Sequence, residues 1–242
     1  MPDTELRAVA PVDPFSPQNR RTVDRLTRIG AAIGARRYLE VGVLKGQTFL
    51  NLDFAEMHAV DPNFRFDPAT EARPNRQFFS QTSDQFFAVP PDAKPYDLIF
   101  LDGLHTFAQT FRDLCASQVL SHAGTVVVID DTVPSDMVSM IPDQRLSNQM
   151  RKRHNLAGRN WHGDVCKVVM AIHDFFPNLD YRTIMGAGNP QTAVIRRPRA
   201  DFKPRWNDLE AISRLDYAGF LANMDVMQPI DDGALVDWVS GG

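Results

Sequence analysis

The chain is poor in cysteine. Cys115 and Cys166 are its two thiols in 242 residues and stand far apart, which argues against a disulfide scaffold and for reduced thiols in a cytoplasmic protein. No apolar run has the length of a membrane span, and the N-terminal stretch Met1-Pro2-Asp3-Thr4-Glu5 carries acids where a signal peptide needs an apolar centre. A positive excess is also missing. With 26 basic against 30 acidic residues, the formal charge of −4 disfavours a nucleic-acid backbone as partner. Internal repeats and low-complexity segments are lacking too. A hydrophobic content of 43% over this length buries one substantial core, so one domain with decorations is expected.

The most informative stretch is Tyr38-Leu39-Glu40-Val41-Gly42-Val43-Leu44-Lys45-Gly46-Gln47-Thr48. A short apolar strand carries an acid near its carboxyl end, two glycines follow four residues apart, and a hydroxyl sits just beyond. Gly42 allows a turn that a side chain would block, and Gly46 lets a following helix start close to a bound ligand. Glu40 is placed to accept hydrogen bonds from an ammonium or hydroxyl group. Such a turn holds a nucleoside-bearing cofactor without saying which one.

Strands and helices alternate along the rest. After a proline-rich leader, residues 1–17, positions 18–33 put Val23, Leu26, Ile29, Ala32 and Ile33 on one helical face. Strands are predicted over 38–41, 57–60, 77–80, 96–101 and 125–129, with one helix starting near Gln47 and another over 106–120. Leu98-Ile99-Phe100-Leu101 is apolar on both faces, as in a covered parallel sheet. Residues 133–163 hold prolines, mixed charges and few apolar repeats, and read as a lid insertion with a helix over 144–153. A helix over 165–176 precedes strands at 180–184 and 192–196. The loop between them, through Gly186, Gly188 and Pro190, is too short for a crossover helix, so the pair is an antiparallel hairpin. The tail, 199–242, reads as a helical extension, helical over 207–223 and irregular beyond. The fold expected is α/β and doubly wound: a mostly parallel seven-stranded sheet closed by a C-terminal antiparallel hairpin.

Ligands of such sheets bind beyond the carboxyl ends of the strands. There the sequence places Glu40 and Gly42, then Asp61, then Thr82, Ser83 and Asp84, then Asp102, Gly103 and His105, and finally Asp130 and Asp131. Asp102, Asp130 and Asp131 brought together would repel unless a cation intervened, and their hard oxygens suit Mg²⁺, Mn²⁺ or Ca²⁺. Asp131 has the alternative of capping the turn at Thr132-Val133-Pro134. Asp61-Pro62 is either a turn-forming acid or, some twenty residues after a glycine turn, a ribose-binding one. Ser83 and Asp84 have the alternative of an N-cap for a helix near Gln85.

The ordered set Glu40-x-Gly42-x-x-x-Gly46-x-Thr48, Asp61, Asp102-Gly103-Leu104-His105 and Asp130-Asp131 resembles the class I S-adenosylmethionine-dependent methyltransferases over residues 20–198. The branch it is most similar to contains macrocin-type O-methyltransferases and cephalosporin hydroxylase-like proteins. Leu44 stands where many members carry a middle glycine, a wider spacing that catechol-type enzymes share. The resemblance implies an S-adenosylmethionine-binding domain over 18–198. Gly42, Gly46 and the Thr48 amide would face the methionine carboxylate, Glu40 the ammonium, Asp61 the ribose hydroxyls, Ser83 and Asp84 the adenine edge, and Asp102 the cofactor. It also implies a divalent ion, Mg²⁺ by default, on Asp102, Asp130 and Asp131.

An alcohol is a poor nucleophile, so a base must take its proton. His105 is the first candidate and Asp102 the competing one, while a helix-start histidine bonded to backbone is the plain alternative for His105. The expected acceptor is a small hydroxylated molecule, a sugar or natural-product scaffold. Two other readings stand beside it. A nicotinamide-dependent oxidoreductase is disfavoured by the acid pair, the hairpin and the lack of a Tyr-x-x-x-Lys couple; an inactive cofactor-binding protein is disfavoured by the intact acids. His162 is either a substrate contact in the lid or an ordinary loop histidine. Arg151-Lys152-Arg153-His154 and Arg196-Arg197-Pro198-Arg199 are solvated surface or a landing site for an anionic acceptor. Phe78-Phe79 and Phe86-Phe87 read as core, with one ring available to stack on adenine. The tail with Trp206, Phe220 and Trp238 either covers the site or packs against another subunit of a homo-oligomer.

Overall fold

The computed structural model describes residues 17–158, 160–185 and 188–241; most of the predicted leader, with Pro11 and Pro14, and Gly186 of the late loop lie outside them. Helix α1 (Pro17–Ile33) lays Leu26 and Ile29 on the sheet. Five parallel strands follow: β1 (Arg37–Val41), β2 (Glu56–Val60), β3 (Arg76–Phe79), β4 (Tyr96–Leu101) and β5 (Ser121–Ile129). Helices α2 (Ser83–Ala88) and α3 (Phe107–Ser117) connect them. Helix α4 (Gln144–Arg153) lies in the insertion and α5 (Cys166–Phe175) follows it. Strands β6 (Asp180–Ile184) and β7 (Gln191–Ile195) form the antiparallel hairpin, with β7 against β5.

Among the described residues the sheet has eight strands, one more than expected, in the order β3-β2-β1-β4-β5-β7-β6-β8, where β8 (Pro229–Ile230) pairs parallel with β6. The order runs one way from β1 to β3 and the other way from β4, so the switch point lies between β1 and β4. Alternation along the strands fills both faces. In β4, Leu98 and Phe100 join the layer of α1, while Ile99 and Leu101 join the layer of α3 and α5. Each of these fully buried side chains contributes roughly 1.5–3 kcal/mol.

Three expectations change. No α-helix follows the glycine turn; a single 3₁₀ turn, Phe49–Asn51, takes its place. Leu44 (φ +43°) and Gly46 (φ +72°) are both left-handed, and Gly46 N–H bonds the Val43 carbonyl, so the backbone is committed to tight turns until residue 47. The tail, expected to be one helix and then irregular, is two short helices and more ordered structure. Asp208 caps α6 (Leu209–Ser213), and Asp216 caps α7 (Tyr217–Leu221), breaking any continuous helix. Helix α8 (Asp232–Ser240) then places Leu235 and Trp238 in the layer of α1. Finally, Arg151 and Arg199 are neither solvated surface nor anion sites. Arg151 is buried, bonds both Asp136 oxygens at 2.9 Å and takes the Ala157 and Asn160 carbonyls, tying the insertion together. Arg199 closes the end of α5 through the carbonyls of Ile172, His173 and Phe176.

Gly42 (φ +91°) lies against the Asp102 carbonyl, where a Cβ would come within 1.9 Å of the oxygen. Gly42→Ala is therefore expected to lose about 4 kcal/mol or more, or fail to fold. Gly34→Ala (φ +63°, with nothing within 4 Å of its Cβ) should cost about 1 kcal/mol. Urea denaturation of the two variants checks the contrast.

Candidate active site

The register aligns the carboxyl ends of four strands: Val41 is level with Val60 and Leu101, and Leu101 with Ile129. The next residue of each strand is then carried forward by one more ladder bond. Gly42 N–H bonds the Val60 carbonyl, Asp61 N–H the Phe79 carbonyl, Asp102 N–H the Val41 carbonyl and Asp130 N–H the Leu101 carbonyl. Asp61, Gly42, Asp102 and Asp130 thus form one row across the switch point. Glu40 lies two residues inside it, on the α1 face with Tyr38, whose hydroxyl donates to Glu40 Oε2 at 2.6 Å.

Asp61 serves the glycine turn directly. Its Oδ2 accepts from Leu44 N–H and its Oδ1 from Asn63 N–H, both at 2.7 Å. Each oxygen keeps another lone pair, so this turn role and a ribose role are compatible. A Cβ at Gly46 would strike Leu50 and Phe66, so its constraint is packing within the protein as well as its left-handed backbone. Thr82, rather than Ser83 or Asp84, caps α2 in a reciprocal box with Gln85. Ser83 is buried and accepts from Gln109, and Asp84 reaches outward to Arg112 at 3.1 Å.

The acid pair after β5 splits because Asp131 adopts a left-handed backbone (φ +60°). Asp130 faces Gln191, whose Nε2 donates to Oδ1 at 2.9 Å. Asp131 faces the other way. Its Oδ2 contacts His105 Nδ1, its Oδ1 accepts from Asn189 Nδ2 at 2.5 Å, and His162 Nε2 stands 3.9 Å from that oxygen. His105 Nε2 is left 3.7 Å from Asp102 Oδ1, and its ring stacks on Trp161 at 4.7 Å. Asp102, Asp130 and Asp131 do meet around one cavity of about 170 Å³, which Thr22, Thr48, Asn160, Trp161, His162 and Asn189 also line. Among the described residues, however, the group whose donor atoms lie within 4.8 Å of one another is Asp102, His105 and Asp131. His105 stands in this group where Asp130 was expected, while the Asp130 carboxylate accepts from Gln191.

Trp161, Asn189 and Gln191 were missed in the sequence. The compact run Trp161-His162-Gly163-Asp164 was the available signal, since all four residues grip the His105 loop or Asp131. A Cβ at Gly163 would come within 1.6 Å of the His105 carbonyl oxygen, and Asp164 Oδ1 accepts from Phe107 N–H at 2.7 Å.

Burial, with Asp130 and Asp61 close by, pushes the Glu40 carboxyl up to about 8, against hydrogen bonds from Tyr38 and Phe49 that favour its anion. Burial and the adjacent Asp131 push Asp130 up to about 7. Asp102 is raised well above the usual carboxylate range by desolvation and then by Asp130 and Asp131. For Asp131 burial acts upward, but the His105 imidazole outweighs it and holds the carboxyl low. Burial alone would lower His105, yet Asp131 raises it above the ordinary imidazole value. His162, buried with less compensation, is lowered. The row of acids therefore lacks positive charge, and a cationic ligand suits it.

Residues 39–132 match a family of methyltransferase domains. Many solved structures share the fold. The cofactor-bound Rv0187 protein from MTB is 16% identical over 81% of this chain and 84% of its own, with a TM-score of 0.51. An O-methyltransferase family protein from Burkholderia thailandensis is 16% identical over 74% of this chain and 56% of its own, also at 0.51. TomG from Streptomyces achromogenes, solved with S-adenosylmethionine, is 17% identical over 76% of this chain and 81% of its own, at 0.48. No curated protein matches the chain. Residues 39–132 are thus similar to a methyltransferase domain, and the chain shares its fold with the two neighbours at a TM-score of 0.51. No helix of the described residues is long and apolar enough to cross a membrane.

The raised Glu40 value predicts a pH signature. Folded Glu40 keeps its proton up to about 8, whereas an unfolded glutamate loses it near 4.5. Its stabilising effect is thus full below the lower value and is lost as pH rises through the upper one. Glu40→Gln should gain stability relative to wild type from about pH 5 to about pH 9, reaching on the order of a few kcal/mol. Denaturant titrations across that range decide it; parallel curves would contradict the assignment.

Proposed function

We propose that the protein transfers the methyl group of S-adenosylmethionine to a hydroxyl of a small molecule bound in the polar cavity, with His105 as the base. The observation that carries this is the His105–Asp131 contact, which leaves Nε2 as the imidazole atom 3.7 Å from Asp102, an acid that lines that cavity. The acceptor oxygen attacks the methyl carbon in line, the carbon–sulfur bond breaks, and S-adenosylhomocysteine leaves. The hydroxyl proton passes to His105 Nε2, and Asp131 stabilises the resulting imidazolium, as its effect on His105 basicity requires. Glu40, Asp102 and Asp130 favour the cofactor's ammonium and sulfonium charges. The amide and hydroxyl lining from Thr22, Thr48, Asn160 and Asn189 suits a polyhydroxylated acceptor such as a sugar or a natural-product scaffold. The Burkholderia thailandensis neighbour's description as an O-methyltransferase family protein is in keeping with oxygen as the acceptor atom.

Asp102, His105 and Asp131 also fit a divalent cation, with two carboxylates and an imidazole converging within 4.8 Å. Such an ion would supply Lewis acidity that lowers the pKa of the hydroxyl. With a nitrogen among the donors, the set suits Mn²⁺ or a borderline ion at least as well as Mg²⁺.

Calorimetry should show S-adenosylhomocysteine binding and no binding of NAD. In a methyl-transfer assay over a panel of hydroxylated small molecules, His105→Ala should lose about 10²- to 10⁴-fold in turnover with cofactor affinity kept. Full turnover in that variant removes His105 as the base. Activity abolished by chelator and restored by Mn²⁺ or Mg²⁺ supports the metal, and activity indifferent to chelator excludes it.

A further inference from the structure

Behind Asp130 a chain of polar side chains leads to the C-terminal helix. Gln191, fully buried at the start of β7, donates Nε2 to Asp130 Oδ1 and, at 3.1 Å, to the hydroxyl of Thr22. Its amide cannot be turned over. Oε1 accepts from Arg25 Nη1 at 2.6 Å, and the reversed amide would set an NH₂ group against a guanidinium. Arg25, with its side chain 2% exposed, gives Nε and Nη2 to the two oxygens of Asp232, at 2.7 and 3.2 Å. Asp232 is the first residue of α8. Arg25 Nη1 also donates to the Asn189 carbonyl, and the Asn189 side chain holds Asp131. One guanidinium thus braces the partners of both acids after β5.

We propose that Asp232, Arg25 and Gln191 are positioning residues that aim the Asp130 carboxylate at the sulfonium of the cofactor, which makes the C-terminal helix a working part of the site. This rests on the reading that S-adenosylmethionine reacts in the cavity Asp130 lines. An ion pair alone would staple α8 to α1. The added amide, bonded to Thr22 and Arg25 of α1, also finishes on a cavity carboxylate, which stapling does not need, and it fixes which face of Asp130 receives donors and which is left for a ligand.

Calorimetric affinities of S-adenosylmethionine and S-adenosylhomocysteine for the full chain test this, because the two ligands differ by the sulfonium charge and its methyl. A general loosening weakens both alike, whereas a misdirected carboxylate lowers the ratio in favour of S-adenosylmethionine. Asp130→Asn, Gln191→Leu and Arg25→Met should each lower that ratio by roughly three- to tenfold, the scale of one partly screened charge contact. Asp232→Asn, altered at the partly exposed end, should fold like wild type and lower it less. A wild-type ratio in Gln191→Leu and Arg25→Met overturns the proposal, as does a wild-type ratio in Asp130→Asn. If the two inner variants do not fold, Asp232→Asn decides, and a wild-type ratio there overturns it too. Failure of the wild-type chain to bind either ligand would instead overturn the cofactor reading.

Discussion

A carboxylate cannot be taken out of water alone, and the carboxyl edge of this sheet gathers Glu40, Asp61, Asp102, Asp130 and Asp131 within one small region. Much of the surrounding structure answers that constraint. Tyr38 donates to Glu40, two turn amides to Asp61, Gln191 to Asp130, and Asn189 with His105 to Asp131. Asp102 stays partly exposed in the cavity, with His105 Nε2 3.7 Å away. The deficit of positive charge at this edge is what makes a cationic ligand a fitting occupant.

Segments far from the strand ends in sequence share in this arrangement. The insertion lays Trp161 on the His105 ring and wedges His162 beside Asp131, while Arg151 holds the insertion's own loop in shape. The hairpin brings Asn189 and Gln191. The tail reaches the same place indirectly, by packing α8 on α1 and pairing Asp232 with Arg25. The family match ends at residue 132, so these three contributions come from outside the matched segment.

The legible parts were those whose physics is local. Continuous apolar runs in β4 and β5, the turn-forming glycines and the short hairpin loop each carry their geometry in neighbouring residues, and their strands lie within a residue or a few of the expected positions. The helix after the glycine turn failed for a reason that is also local but hard to see, since Leu44, an ordinary residue, takes a left-handed backbone that glycine usually supplies. The Arg151 cluster misled because charge in a run of basic residues says nothing about a buried partner, here Asp136 and two loop carbonyls.

By itself the sequence determined the row of acids at the strand ends, because strand register and the position after each apolar run are set by patterns a few residues long. It determined the class of fold for the same reason. Which acid faces which partner was decided only in three dimensions. Asp130 and Asp131 are adjacent and chemically identical, and what separates them is one left-handed residue together with Gln191, His105 and Asn189 arriving from elements distant along the chain. Long-range contacts of this sort leave no periodic trace, so the roles they assign had to be read from the folded molecule.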